Sequence, residues 1–175
     1  VLAPSERAFA FATAGQAPEW GAGVAIPDRS LIVLPTFASV QRGTLLDIGT
    51  VLRHEIAHIA LHRAVAPAAI PRWFDEGYAS WTAHELDAGS AWMLRLAFAT
   101  GRAPPLDSLE LDWPSGSSRA QLAYLLSATV VEYLVSESGT HGLELLIARW
   151  KAEENFGQAL AETYGVDVAR LESEW

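Results

Sequence analysis

The spacing of apolar residues changes once along this chain, from short runs to a helical period. The segments "GAGVAI" (residues 21–26) and "LIVLP" (residues 31–35) are short apolar runs joined by the turn formers of "PDRS", a pattern that predicts a β-hairpin. Ahead of it, "SERAFAFATAG" fits either a short helix or another strand. From Thr44 onward the period is helical. Asp47, three residues after Thr44, makes a reduced capping box, and a helix can run from there to Pro67. Pro71 suits a first-turn position, so a second helix is predicted through "RWFDEGYASWTAHEL", and a third covers Ser90 to Thr100. The stretch 101–118 holds Pro104, Pro105 and Pro114 among turn formers and is read as a connecting loop. Beyond it, helices are predicted near 119–137, 141–155 and 156–164. The expected organisation is a sheet with two site-bearing helices in 1–100, the connecting loop, and a helical C-terminal lobe in 119–175, all within one compact domain.

On a helical wheel, Leu45, Ile48, Leu52, Ile56 and Ile59 gather on one side of the first long helix, and Asp47, His54, Glu55, His58 and His62 form a polar stripe on another. A polar stripe is ordinarily the solvated face of an amphipathic helix. This one is unusual in its chemistry, because it concentrates imidazoles with one carboxylate between the first two. His54-Glu55-x-x-His58 is the HExxH pattern. Side chains four apart on a helix lie one turn apart, so both rings can direct a nitrogen at one ion. The intervening glutamate points aside, where it can take a proton from water that the ion activates.

A third ligand is needed. His62, eight residues after His54, is carried roughly 12 Å along the axis, too far for both rings to meet one ion. It is read as a solvent-facing or hydrogen-bonded histidine. Glu76 is the better candidate, since the seventeen residues after His58 suffice to end one helix, turn and bring a second alongside. Gly77 removes a side chain where those helices approach, and Trp73, Phe74, Tyr78 and Trp81 can pack the second helix down.

Composition narrows the partners. Half of the 175 residues are apolar, enough for a sizeable core, and the formal net charge of −9 with no basic cluster argues against nucleic acid or an anionic membrane as partner. The absence of cysteine leaves His, Asp and Glu as the strong ligand types. No apolar run is long enough to span a bilayer, and the chain reads as a processed or trimmed soluble domain.

"HEIAH" followed by "WFDEGYAS" resembles the gluzincin metallopeptidases, most closely the peptidase MA-like domains related to the zinc aminopeptidases. The resemblance implies an α+β fold of zincin type: a small N-terminal sheet, the metal helix beneath it, the glutamate helix, and a helical C-terminal lobe across the cleft. It implies one zinc ion per chain bound by His54, His58 and Glu76, with Glu55 as general base. A peptide would lie extended along an edge strand, for which "LIVLP" is the candidate. Tyr124 stands where the resemblance places a hydrogen-bond donor to the oxyanion, with His141 as the other candidate. Bacterial export is also an expectation of the resemblance; oligomeric state is left open.

The chain departs from its relatives in two places. "GAGVA" lacks the acidic residue with which aminopeptidases hold a free amine, so aminopeptidase specificity is not expected. Ser80 occupies the position of the aspartate that orients a histidine in thermolysin-like members, leaving Asp75 or Asp47 as acceptor. Trp20, Trp92, Trp113, Trp150 and Trp175 share no spacing and are read as packing residues, and His84 and Glu85 as solvated. The alternative to an enzyme is a zincin-fold binding or scaffold module with a structural or vestigial metal site.

Overall fold

The computed structural model describes residues 1–15, 23–36, 48–114 and 117–175; Thr44, Leu45, Asp47 and Trp20 lie outside these segments. The hairpin is present as β2 (Val24–Ile26) and β3 (Leu31–Pro35), antiparallel with Ala25 opposite Ile32, and a 3-10 turn at Pro27–Arg29 between them. A further strand, β1 (Leu2–Ala3), pairs parallel to β3, giving the order β1-β3-β2. "LIVLP" is therefore the central strand and has no free edge, contrary to expectation. Leu2–Ala3 takes the side left open by the hairpin: Leu34 N–H donates to the Val1 carbonyl and Thr36 N–H to the Ala3 carbonyl. The edge beside the long helices belongs to β2.

The ambiguous "SERAFAFATAG" resolves as α1 (Glu6–Ala12), because the Ser5 side chain accepts from Ala8 N–H and caps its first turn. Phe9 then buries against Ala3 and Val33.

Two helices carry the site, α2 (Ile48–Val65) and α3 (Arg72–Thr82), the latter with Pro71 at its N-cap. Next comes α4 (Ala88–Ala99). The segment expected to be a connecting loop contains a helix, α5 (Leu106–Leu111), whose Leu106 and Leu109 are both 1% exposed. Two docked leucines three residues apart justify a helical turn between prolines that local propensity alone would leave open. The longest element, α6 (Ser117–Glu153), is broken at Gly139, where φ 66 and ψ −176 divide it into two rods. Two short capped helices follow, α7 (Phe156–Tyr164) and α8 (Val168–Glu174), with Asn155 and Asp167 as their N-caps.

The fold is thus α+β, mostly helical, with its small sheet at the N-terminal end. The largest core joins the front half to the C-terminal helices: Phe74 of α3 sets its ring 5.6 Å from Trp150 of α6 and 5.1 Å from Phe156 of α7. Trp113 and Trp150 are buried as expected, whereas Trp92, read as a packing residue, is 67% exposed. No helix among the described residues is long and apolar enough to cross a membrane.

Candidate metal centre

The polar stripe of α2 faces inward. Glu55 is only 7% exposed, while Ile48 and Ile56 on the apolar side are 60% and 54% exposed. A solvated amphipathic face would show the reverse. The stripe is turned toward α3 and the β2 edge, and its polar atoms find their partners there.

His54 and His58, one turn apart, set their rings edge to face at 4.9 Å, with the two Nε2 atoms 3.1 Å apart. Glu76 on α3 brings Oε2 to 3.7 Å from the Nε2 of His54 and 3.4 Å from that of His58. Ligands bound at 2.0–2.1 Å to a tetrahedral ion are about 3.4 Å apart. The three atoms therefore already stand at the spacing one such ion requires, and these residues form a group able to hold it. Glu76 is positioned by its neighbour. A Cβ on Gly77 would fall 2.3 Å from the backbone oxygen of Ser127, so only glycine lets α3 approach α6 this closely.

A family model of the peptidase MA superfamily matches residues 12–175. The chain belongs to that superfamily. No curated protein and no solved structure matches it.

In this peptidase MA superfamily chain, each histidine of the group is approached at its outer nitrogen by a carboxylate. Asp75 Oδ1 lies 2.7 Å from Nδ1 of His58, and its other oxygen lies 2.9 Å from Nε2 of His62. That assigns one of the two aspartates left open by the sequence and accounts for His62 as a hydrogen-bonded residue. Glu85 Oε1 lies 3.2 Å from Nδ1 of His54, close but poorly aligned for a hydrogen bond. Glu85 was expected to be solvated; its half-buried side chain instead reaches His54, for a local reason. Helix α3 ends in a Schellman turn: His84 adopts φ 58, its N–H donates to the Trp81 carbonyl, and Glu85 N–H donates to that of Ser80. The reversal aims Glu85 back at the site. The usual signal of such a turn, a glycine at the left-handed position, is replaced by His84.

These contacts set the site's charges. Burial opposes the charged form of His54, but Glu76 and Glu85 outweigh it and raise the ring to about 9. Burial likewise opposes charge on His58, yet Asp75 and Glu76 lift it well above an ordinary histidine. In return, Asp75 is held at about 2 against its burial by hydrogen bonds from His58 and His62, and Glu76 is likewise lowered against its own burial by His54 and His58. Glu55 moves the other way: burial raises its carboxyl more than the imidazoles and the Ala25 N–H lower it. Its Oε1 lies 3.0 Å from where a Cβ on Gly23 would stand, so the acid is tucked under β2 beside a residue without a side chain.

Tyr124, on the first rod of α6, places its ring 6.2 Å from that of His54 and 5.1 Å from Trp113. Burial, then the charge of Glu76, pushes its phenol well above the ordinary tyrosine range, so it stays a donor. His141 is 77% exposed and lies 3.6 Å from Glu144 on its own helix, away from this cluster. Ser80 is buried in α3, and the orienting role open at its position is taken by Asp75 and Glu85.

Proposed function

We propose that this chain is a zinc-dependent peptidase that hydrolyses peptide bonds with Glu55 as general base. The observation that supports it most is the buried carboxylate of Glu55 beside three convergent ligand atoms. A scaffold gains nothing from an acid buried between two imidazoles, since desolvating it costs stability. A catalyst gains a base whose proton affinity is raised toward neutrality.

His54, His58 and Glu76 would hold the zinc ion, which when bound would supply Lewis acidity to the scissile carbonyl and to water. Glu55 takes the proton of the attacking water and passes it to the leaving amine. The Ala25 N–H keeps its carboxylate oriented. Tyr124 donates its hydroxyl proton in a hydrogen bond to the carbonyl oxygen as negative charge grows there. Asp75 holds the outer nitrogen of His58 by a hydrogen bond, fixing which nitrogen faces the ion, and the charge of Glu85 favours the same arrangement at His54. The peptide lies extended against the edge of β2, which adjoins Glu55.

The reading is tested on purified protein by metal analysis and with Glu55→Gln. Near one zinc per chain is expected, and the variant should keep that zinc while losing hydrolysis of an unstructured protein substrate. Hydrolysis undiminished in Glu55→Gln would rule the mechanism out.

A further inference from the structure

The wall of the site on the Tyr124 side ends in a cation that forms no side-chain ion pair among the described residues. Arg72, the first residue of α3, lies one turn before Glu76 and so shares its helix face. Its Cζ stands 4.9 Å from the centre of the Trp113 ring. Trp113 packs 5.1 Å from Tyr124, which in turn packs 6.2 Å from His54. Arg72, Trp113, Tyr124 and His54 thus form a continuous row, the cation over the indole and the rings edge to face, that ends at the metal group.

The chain carries 21 acidic residues against 12 basic ones, so an exposed arginine should readily find an acid. Among the described residues, Arg72 forms no ion pair through its side chain. The carboxylate that comes nearest in the hydrogen-bond pattern, Glu110, accepts from the backbone N–H of Arg72 instead. A guanidinium seated over an indole ring still has N–H donors to offer, in the fork geometry that matches a carboxylate. The charge of Arg72 is also felt at the Tyr124 phenol, where it opposes that of Glu76.

We propose that Arg72 is a specificity-determining residue whose guanidinium receives a carboxylate of the peptide substrate on the Tyr124 side of the metal group. The inference rests on the peptidase reading above and narrows it to substrates with an acidic group near the scissile bond. Two sources share that chemistry, an acidic side chain and the free C-terminus.

The test uses four peptides of one sequence: neutral with an amidated C-terminus, neutral with a free C-terminal acid, and amidated with Glu for Gln on either side of the scissile bond. With wild type, at least one acidic peptide should exceed the neutral amide in kcat/KM by about tenfold to a hundredfold, the span of charge-assisted hydrogen bonds. Preference for the free acid assigns the C-terminus, and preference for a Glu peptide assigns a side chain. In Arg72→Gln the ratio should collapse toward one, with Arg72→Lys intermediate. A ratio near one in wild type, or one unchanged in Arg72→Gln, overturns the proposal. If wild type cleaves none of the four, the peptidase reading fails. The same peptides titrated calorimetrically into Glu55→Gln then decide Arg72 separately: carboxylate-selective binding that Arg72→Gln removes supports it, and indifferent binding overturns it.

Discussion

His58 and Asp75 are joined at 2.7 Å through Nδ1 and Oδ1, on the side of the ring opposite the nitrogen that faces His54. The carboxylate decides which nitrogen of His58 carries a proton and which presents a lone pair. Asp75→Asn should therefore lower zinc affinity by about tenfold to a hundredfold, read by competition with a chelator. Glu85→Gln should act in the same direction on His54 but more weakly, because its 3.2 Å contact is poorly aligned. Wild-type affinity in Asp75→Asn would leave the aspartate only a packing role.

Zinc binding should release protons. The metal-free fold raises His54 from 6.5 to about 9, so at neutral pH the ring is protonated and must give that proton up to become a ligand. Affinity should rise with pH up to about 9. The stability of the metal-free protein runs the other way: the share due to His54 is complete below 6.5 and lost as pH rises through about 9. At the acid end, the share due to Asp75 is present above 3.8 and lost as pH falls through about 2. Calorimetric titration with zinc at pH ~7.5 in buffers of different ionisation enthalpy measures the release; heats independent of buffer would mean that His54 is already neutral.

Tyr124→Phe removes a hydroxyl and keeps the ring against Trp113 and His54. Turnover should fall roughly a hundredfold with zinc content and melting temperature nearly unchanged. A lowered melting temperature with full turnover would make Tyr124 a packing residue.

Gly77→Ala places a methyl group 2.3 Å from the Ser127 carbonyl oxygen, backbone that cannot yield without moving α3 or α6. The expected loss is about 1–3 kcal/mol in denaturant unfolding, accompanied by weaker zinc binding because Glu76 moves with its neighbour. Unaltered stability would show that the two helices can separate freely.

The sequence made the metal group legible because its signals are local: two histidines one helical turn apart, and a glutamate beside a glycine and aromatics. The hairpin and the long helices were readable for the same reason. Three features were not, two because they depend on tertiary contacts and one because its turn lacks the usual glycine. The Leu2–Ala3 strand is too short to carry a period, and only pairing with β3 makes it a strand. The helix at Leu106–Leu111 is specified by where its two leucines dock, amid prolines that suggest a loop. Glu85 enters the site through a left-handed His84, a conformation that histidine does not advertise. The wheel found the two faces of α2, but the direction in which they point depends on neighbours in space.

The break at Gly139 has a mechanical meaning. An unbroken helix of 37 residues would be a ruler about 55 Å long, and any tilt imposed at its far end would swing the near end through a proportionate arc. Divided into two rods, it becomes a jointed lever instead. The first rod is clamped to α3 at the Gly77 crossing and carries Tyr124, while the second, with Trp150, belongs to the cluster around Phe156. Both rods thereby rest on α3, the first at the Gly77 crossing and the second through Trp150 against Phe74. The joint lets one stretch of chain brace the helix that carries Glu76 at two points.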